Sequence, residues 1–483
     1  MQIGKTTGFY VHRYCRHNLV TGSNYLYSAH WPNGENVRFF VEAGAKQGED
    51  NIGFYNVFFP FNTEKISFGI VTHNHFDHVG LLPVIVRQGF TGPIFTSYST
   101  ANLIDISLYD STNIENKDLK QTIATIDEVE RTLNQVVGCT YKKRIKPHKN
   151  ITITFFSNGH LVGAVLTLIV ITCPGEEPIT IIHTGDYKDE NIFFNVEMPP
   201  KQVRNLNISN IVCESTYGDV DSNHPMFHKC LATNTAEALK DGMTVLYPTF
   251  SQGRHQEALF NIKMWKNKGI IPEDTLVVVD GKSSQEYNAR YRYTDLGIKK
   301  IMKDFMPKGV KSIPRSKDRA IYRRKILKDP RPKIILAPGG MGSYGPVTSY
   351  ISELIPRNDV LIHSLGYCSP DSTMYKLLNA KYGETIHYNG RKLTMRCLVR
   401  KTAEMSSHSP RNKLLRLINY FPNTCSVSIN HGERKTQLSF REYLLDHLGL
   451  PEDQIMIANP EIGVRIESNG ITDCFQTRFE SIL

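Results

Sequence analysis

The stretch VTHNHFDHVG, residues 71–80, puts three histidines and an aspartate within ten positions. It closes KISFGIVTHNH (65–75), a β-branched and aromatic run of the kind that forms a buried strand. His73 and His75 are two apart, so on the extended end of a strand they point the same way and can share one metal ion. Asp77 and His78 fall where the chain turns into a helical stretch, VGLLPVIVRQG (79–89). Asp77 is expected at the helix N-cap, and the two residues can serve a second ion beside the first. A polar turn is the bland alternative, but burying four such groups without a cation leaves unmatched polar atoms, so the spacing favours metal.

The same design recurs along the chain. VRFFVEAG (37–44), ITITFF (151–156), PITIIHTGD (178–186) and NISNIVCES (207–215) read as strands that deliver a polar residue or a glycine at their ends. His160 in NGHLVGA, Asp186 in HTGDY and His431 in SINHGE are therefore further candidate ligands. Each alone is more often a locally satisfied side chain; their order after HxHxDH is what promotes them. From about residue 243 the pattern changes. MTVLYP, TLVVVD, KIILAP and DVLIHSLGY read as short buried strands alternating with helical stretches such as GRHQEALFNIKMWKNKG (253–269), as in a parallel α/β sheet. After about 400, strands that end in a ligand-type residue return. The expected organisation is a first domain over 1–214, an inserted α/β domain over 215–400, and the remainder of the first domain over 401–483.

Composition narrows the function. At 483 residues, 40% hydrophobic and 22% charged, the chain is long enough for two or more well-filled cores and too apolar for disorder. The greasiest run, AVLTLIVITC (164–173), is half the length of a membrane helix and reads as a buried strand, so no membrane partner is expected. The N-terminus, MQIGKTTGFYVHRY, has no signal-peptide core, and the nine scattered cysteines form no CxxC pair; both point to the cytosol. A net charge of +10 and pI near 9.0 favour a polyanionic partner such as nucleic acid. The basic run at 299–333 reads equally well as a solvated amphipathic helical surface or as an RNA-contacting flank.

Taken in order, LVTGSNYLY (19–27), FFVEAGAKQG (39–48), HxHxDH, GHLVGA, TGDY, CESTYG (213–218), PTFSQGRHQEAL (248–259), APGGMGSYGP (337–346), MSSHSPRNKLL (405–415) and INHGE (429–433) resemble the metallo-β-lactamase-fold nucleases of the β-CASP group. These include ribonuclease J and the endonuclease of messenger-RNA cleavage and polyadenylation. The resemblance implies an α/β fold, a metallo-β-lactamase αββα sandwich with an inserted β-CASP domain and the active site in the cleft between them. It further implies that His73, His75 and His160 hold one zinc, that Asp77, His78 and His431 hold the other, and that Asp186 bridges. Two such ions suit in-line displacement at phosphorus, because they generate hydroxide and stabilise phosphate charge. Manganese suits the same ligands.

By the same resemblance His408 is the general acid beside the scissile phosphate, and Glu214 is the carboxylate that orients its ring. The glycine-rich stretch follows a predicted strand, where close-spaced amides can approach a phosphate, and Gly340, Gly342 and Ser343 are candidate contacts. Two stretches depart from the family pattern: Glu42 stands where an aspartate is usual, and GYCSPDSTM (366–374) differs near the substrate path. The chain ends about 50 residues past His431, so a minimal core nuclease is expected. The reading is a zinc-dependent ribonuclease acting on single-stranded RNA, endo- or 5′ exonucleolytic, with a homodimer left open. Its alternatives are a DNA-directed nuclease and a non-catalytic RNA-binding scaffold of the same fold.

Overall fold

In the strand Asn24–His30, Tyr25 and Tyr27 face one way and Leu26 the other; in Asn36–Ala43, Phe39 and Val41 oppose Phe40. This period of two gives a sheet two apolar faces, each of which needs a cover. The computed structural model describes residues 8–477 except 18, 48–53, 114 and 117–120. By its contacts the chain divides into two compact units, Met1–Ser222 with His408–Leu483, and Asn223–Ser407.

The first unit holds two large sheets. One has eight strands in the order Gly470–Gln476, Ile462–Glu467, Tyr10–His17, Asn24–His30, Asn36–Ala43, Ile66–Ile70, Ile94–Ser97 and Val136–Cys139. The other has seven, Ile455–Ile457, Val427–Asn430, Asn210–Glu214, Ile179–His183, Val165–Ile171, Ile151–Ser157 and Arg144–His148. Their inner faces share one core, in which Tyr25, Phe39 and Phe68 meet Ile153, Phe155 and Ile181. The outer face of the first sheet is covered by the helices Leu82–Arg87, Ile104–Ser111 and Ile126–Leu133, packed on Leu26 and Phe40. Helices Arg411–Asn419 and Arg434–Leu448 cover the second through Leu414, Leu417 and Phe440, packed on Phe156 and Leu168. The layering is helix, sheet, sheet, helix, and the run at 164–173 is the buried strand Val165–Ile171.

The second unit is built on six strands, Val310–Ser312, Leu276–Val279, Lys333–Pro338, Thr244–Thr249, Val360–Ser364 and Leu398–Lys401, paired parallel throughout. Its loops at 249–254, 280–284, 338–346 and 364–369 therefore all leave from the carboxyl edge of one sheet. The two outermost strands lie in basic sequence, VKS and LVRK, with too little apolar content to be read as strands. Residues 299–333 do not form one helix. They run through the 3₁₀ turn Lys300–Lys303, the edge strand and the helix Arg319–Lys328, because Pro307, Gly309 and Pro314 interrupt any longer element. No helix among the described residues is long and apolar enough to cross a membrane.

Candidate metal centre

The strand Ile66–Ile70 stops before the histidines, so His73 and His75 leave it on a loop. The short helix Phe76–Val79 has His75, not Asp77, at its N-cap. Asp77 sits inside the first turn, where an acid is favoured by the helix dipole without capping it, and its Oδ2 faces His431 Nε2 at 3.6 Å and His78 Nε2 at 4.0 Å. The loop is pinned by backbone groups. Ser23 N–H donates to the Asp77 carbonyl at 3.0 Å, Ala45 N–H to that of Phe76 at 3.1 Å, and the Ser107 hydroxyl to that of Asn74 at 2.6 Å. Glu42, at φ +66°, accepts the Thr72 amide with Oε1 at 3.0 Å and turns Oε2 to 3.6 Å from His78 Nδ1. The longer acid thus touches both the loop and a candidate ligand. Gly44 makes the approach possible, since a Cβ there would lie 1.6 Å from the Asp77 carbonyl oxygen.

The remaining candidates come from the second sheet. Strands Ile179–His183, Asn210–Glu214 and Val427–Asn430 are adjacent and parallel, so their carboxyl ends deliver Asp186, Glu214 and His431 side by side. His431 holds a left-handed backbone, φ +47°. His160 follows the strand Ile151–Ser157, and Asn158 ties it to Asp186: its Oδ1 accepts the His160 amide at 3.0 Å while its Nδ2 donates to the carbonyls of Thr184 and Asp186, each at 2.9 Å.

Asp186 is the hinge of the arrangement. Its Oδ2 lies 3.5 Å from both His73 Nε2 and His160 Nε2, and its Oδ1 lies 3.3 Å from His78 Nε2 and 3.5 Å from His431 Nε2. Among the described residues the donor atoms form four overlapping groups, each drawn within 4.8 Å: His73, His75, His160 and Asp186; Asp77, His78 and His431; Glu42, His73 and His78; and Asp186, His408 and His431. His73 Nε2, His78 Nε2, His431 Nε2 and Asp186 Oδ1 are sealed from solvent and complete no hydrogen bond. Orphaned buried polar atoms are costly, and imidazole with carboxylate is a donor set for zinc or manganese, so the residues fit cations.

Ionisation follows from the crowding. Burial and the neighbouring charge of His78 hold His73 well below the ordinary histidine range. Burial works the same way on His78 and His431, but the carboxylates outweigh it and both rise, His78 mainly through Asp186 and Glu42 and His431 mainly through Asp186 and Asp77. Burial opposes ionisation of Asp186 too, yet the surrounding histidines hold its carboxyl well below the usual carboxylate range.

Beside the cluster, His408 Nδ1 lies 2.8 Å from Glu214 Oε2, and its Nε2 points to Asp186 Oδ2 at 3.9 Å. Glu214 is fixed in turn by the amides of Tyr187 at 2.6 Å and Thr216 at 3.3 Å. Thr216 is a site residue that the sequence did not single out. Its Oγ1 sits 3.2 Å from His408 Nδ1 and 3.1 Å from His431 Nδ1, joining the two rings; a hydroxyl two residues beyond Glu214 in CESTYG was the available signal. Gly340, Gly342 and Ser343 belong to the second unit, where the Ser343 hydroxyl is 3.1 Å from that of Thr373 and accepts the Thr373 amide at 3.2 Å.

Comparison with known proteins places two domain types on the chain. A Beta-Casp domain matches residues 256–377, and a Zn-dependent metallo-hydrolase RNA specificity domain matches residues 392–456, which include His408 and His431. A transcription termination factor FttA from Methanosarcina mazei is 26% identical over 419 residues, covering 82% of this chain and 63% of its own. The cleavage and polyadenylation specificity factor subunit 3-II of Arabidopsis thaliana is 25% identical, covering 87% and 67%. An RNase J-like protein from Methanocaldococcus jannaschii is 25% identical, covering 79% and 85%. The chain thus spans less than two thirds of that first relative's length.

Proposed function

Because the chain belongs to the metallo-β-lactamase-fold, β-CASP family of metallo-hydrolases, we propose that it is a two-zinc ribonuclease that hydrolyses phosphodiester bonds of single-stranded RNA. The observation that carries this reading is the division of the Asp186 carboxylate, one oxygen to each group of histidines. His73, His75 and His160 would hold one ion, Asp77, His78 and His431 the other, and Asp186 both. Bound there, the ions would supply a water-derived nucleophile and Lewis acidity at the phosphoryl oxygens. The chain's own residues do the rest. Glu214 fixes His408 through Nδ1 and leaves Nε2 turned toward Asp186, the position from which it can give a proton to the leaving 3′ oxygen. Ser343 with the amide of Gly340 would hold a substrate phosphate; Gly342, expected as a third contact, instead donates its amide to the Gly339 carbonyl at 2.7 Å and shapes the turn with φ +76°. All nine cysteines are free thiols, which suits a reducing, cytosolic setting.

The test joins metal analysis to cleavage. About two zinc per chain, with RNA hydrolysis lost in Asp77→Ala, is the expected result. A metal-free chain that binds RNA and leaves it intact would replace the enzyme with a scaffold. Comparing RNAs with a 5′ phosphate, a 5′ hydroxyl or a circular backbone then separates exo- from endonucleolytic attack.

A further inference from the structure

Residues 299–333 carry fourteen Lys and Arg against three Asp, a net +11 that exceeds the +10 of the whole chain. The protein's positive charge is therefore the charge of this one segment. Four of the fourteen are in ion pairs: Lys308 with Glu273, Arg315 with Glu286, Arg323 with Asp280 and Arg331 with Asp329. Lys303 donates to the Thr294 carbonyl and Lys333 is buried. The other eight, among them Lys311, Lys317, Arg319, Arg324, Lys325 and Lys328, are exposed and have no carboxylate within ion-pair distance among the described residues.

Uncompensated like charges crowded into one segment of the chain repel one another, and nothing in the packing of this unit requires them. The helix Arg319–Lys328 buries no residue fully; Ile326 and Leu327 rest against the core while the cations face out. Two apolar side chains are exposed among them, Ile321 at 49% and Tyr322 at 44%, with the Lys325 ammonium 5.5 Å from the Tyr322 ring centre. Cations that track a phosphate backbone, together with an exposed ring on which a base can stack, are the two components of a single-strand binding surface.

We propose that the exposed basic strip that runs from the edge strand Val310–Ser312 through the helix Arg319–Lys328 is a docking surface for single-stranded RNA. The choice of RNA as the polyanion rests on the function proposed above; the surface itself does not.

The test uses the full chain with Lys317, Arg319, Arg324, Lys325 and Lys328 all changed to Gln, and separately Tyr322→Ala. Fluorescence anisotropy with a labelled single-stranded RNA, in chelator so that nothing is cut, is expected to show the five-fold variant binding at least tenfold more weakly. The slope of log affinity against log salt should fall by about 2–3, since each neutralised phosphate contributes about 0.7 for single strands. Tyr322→Ala should weaken RNA about tenfold while leaving inorganic polyphosphate binding unchanged. Hydrolysis of bis(4-nitrophenyl) phosphate with zinc, a small diester with no nucleic-acid backbone for a docking surface to hold, should be the same in all three proteins. Unchanged RNA binding in the five-fold variant overturns the proposal. So does a variant that loses only poly-glutamate, which would assign the strip to an acidic protein. A wild-type chain that binds RNA through the strip yet hydrolyses neither substrate leaves this surface standing and removes the catalytic reading.

Discussion

Asp186 must serve two groups of histidines at once, and an amide of the same shape cannot, because it presents a donor on one side. On the proposed two-zinc reading, Asp186→Asn is expected to lower zinc content to one or none and to cut hydrolysis by more than the roughly 10–100-fold typical of partners outside the ligand set; plasma emission and a cleavage assay on one preparation would show it. Thr216→Val keeps the volume and removes the hydroxyl between His408 and His431. The fold should lose no more than ~1–2 kcal/mol, and turnover should fall about tenfold; unaltered turnover would make the hydroxyl a packing group. Protons compete with cations at His78 and His431, whose pKa values are raised by the carboxylates around them. Zinc affinity is therefore present in full above those raised values and lost as pH falls through them. Competition titrations at pH 8 and pH 6 should differ at least tenfold, with proton release on binding; a flat profile would count against these ligands.

What holds for single side chains depends on how the elements meet. The Gly44 strand end and the HxHxDH loop are in backbone contact, so Gly44→Ala should cost at least ~2 kcal/mol in chemical denaturation. Gly34→Ala, at φ +86° with nothing within 4 Å, should cost only ~1 kcal/mol, the backbone term alone. Most of this architecture was legible in the sequence. Strands of β-branched residues ending in His, Asp or Glu are an unusual pattern, and the segments at 37–44, 151–156, 178–186 and 207–215 all fall on strands of the first unit. Less legible were features decided by neighbours. VKS and LVRK become strands only because an existing sheet edge offers them hydrogen bonds. Asp77 looks like a cap until His431, more than 350 positions away, claims its carboxylate. Thr216 gains its place only when two distant rings converge on it.

At the scale of the molecule, the two units should answer different signals. Zinc is expected to slow hydrogen exchange in Ile179–His183, Asn210–Glu214 and Val427–Asn430 and to leave the six parallel strands unchanged. Acid should act on the second unit without metal, since burial depresses His255 to about 3 and His363 to about 4. Neutral in the fold and protonated in the unfolded chain, they contribute stability that is complete above about 6.5 and lost as pH falls toward those values. A second-unit stability flat between pH 7 and 4.5 would contradict their burial. The interruption of the first unit by the second also orders events in time. Roughly 245 residues separate Asp186 from His431, and the whole of Asn223–Ser407 lies between them. At about 5–20 residues per second the ribosome needs roughly 12–50 s to cross that gap. Throughout it, the nascent chain carries an incomplete set of ligands, and no cation can be held by all seven side chains until His431 has been made.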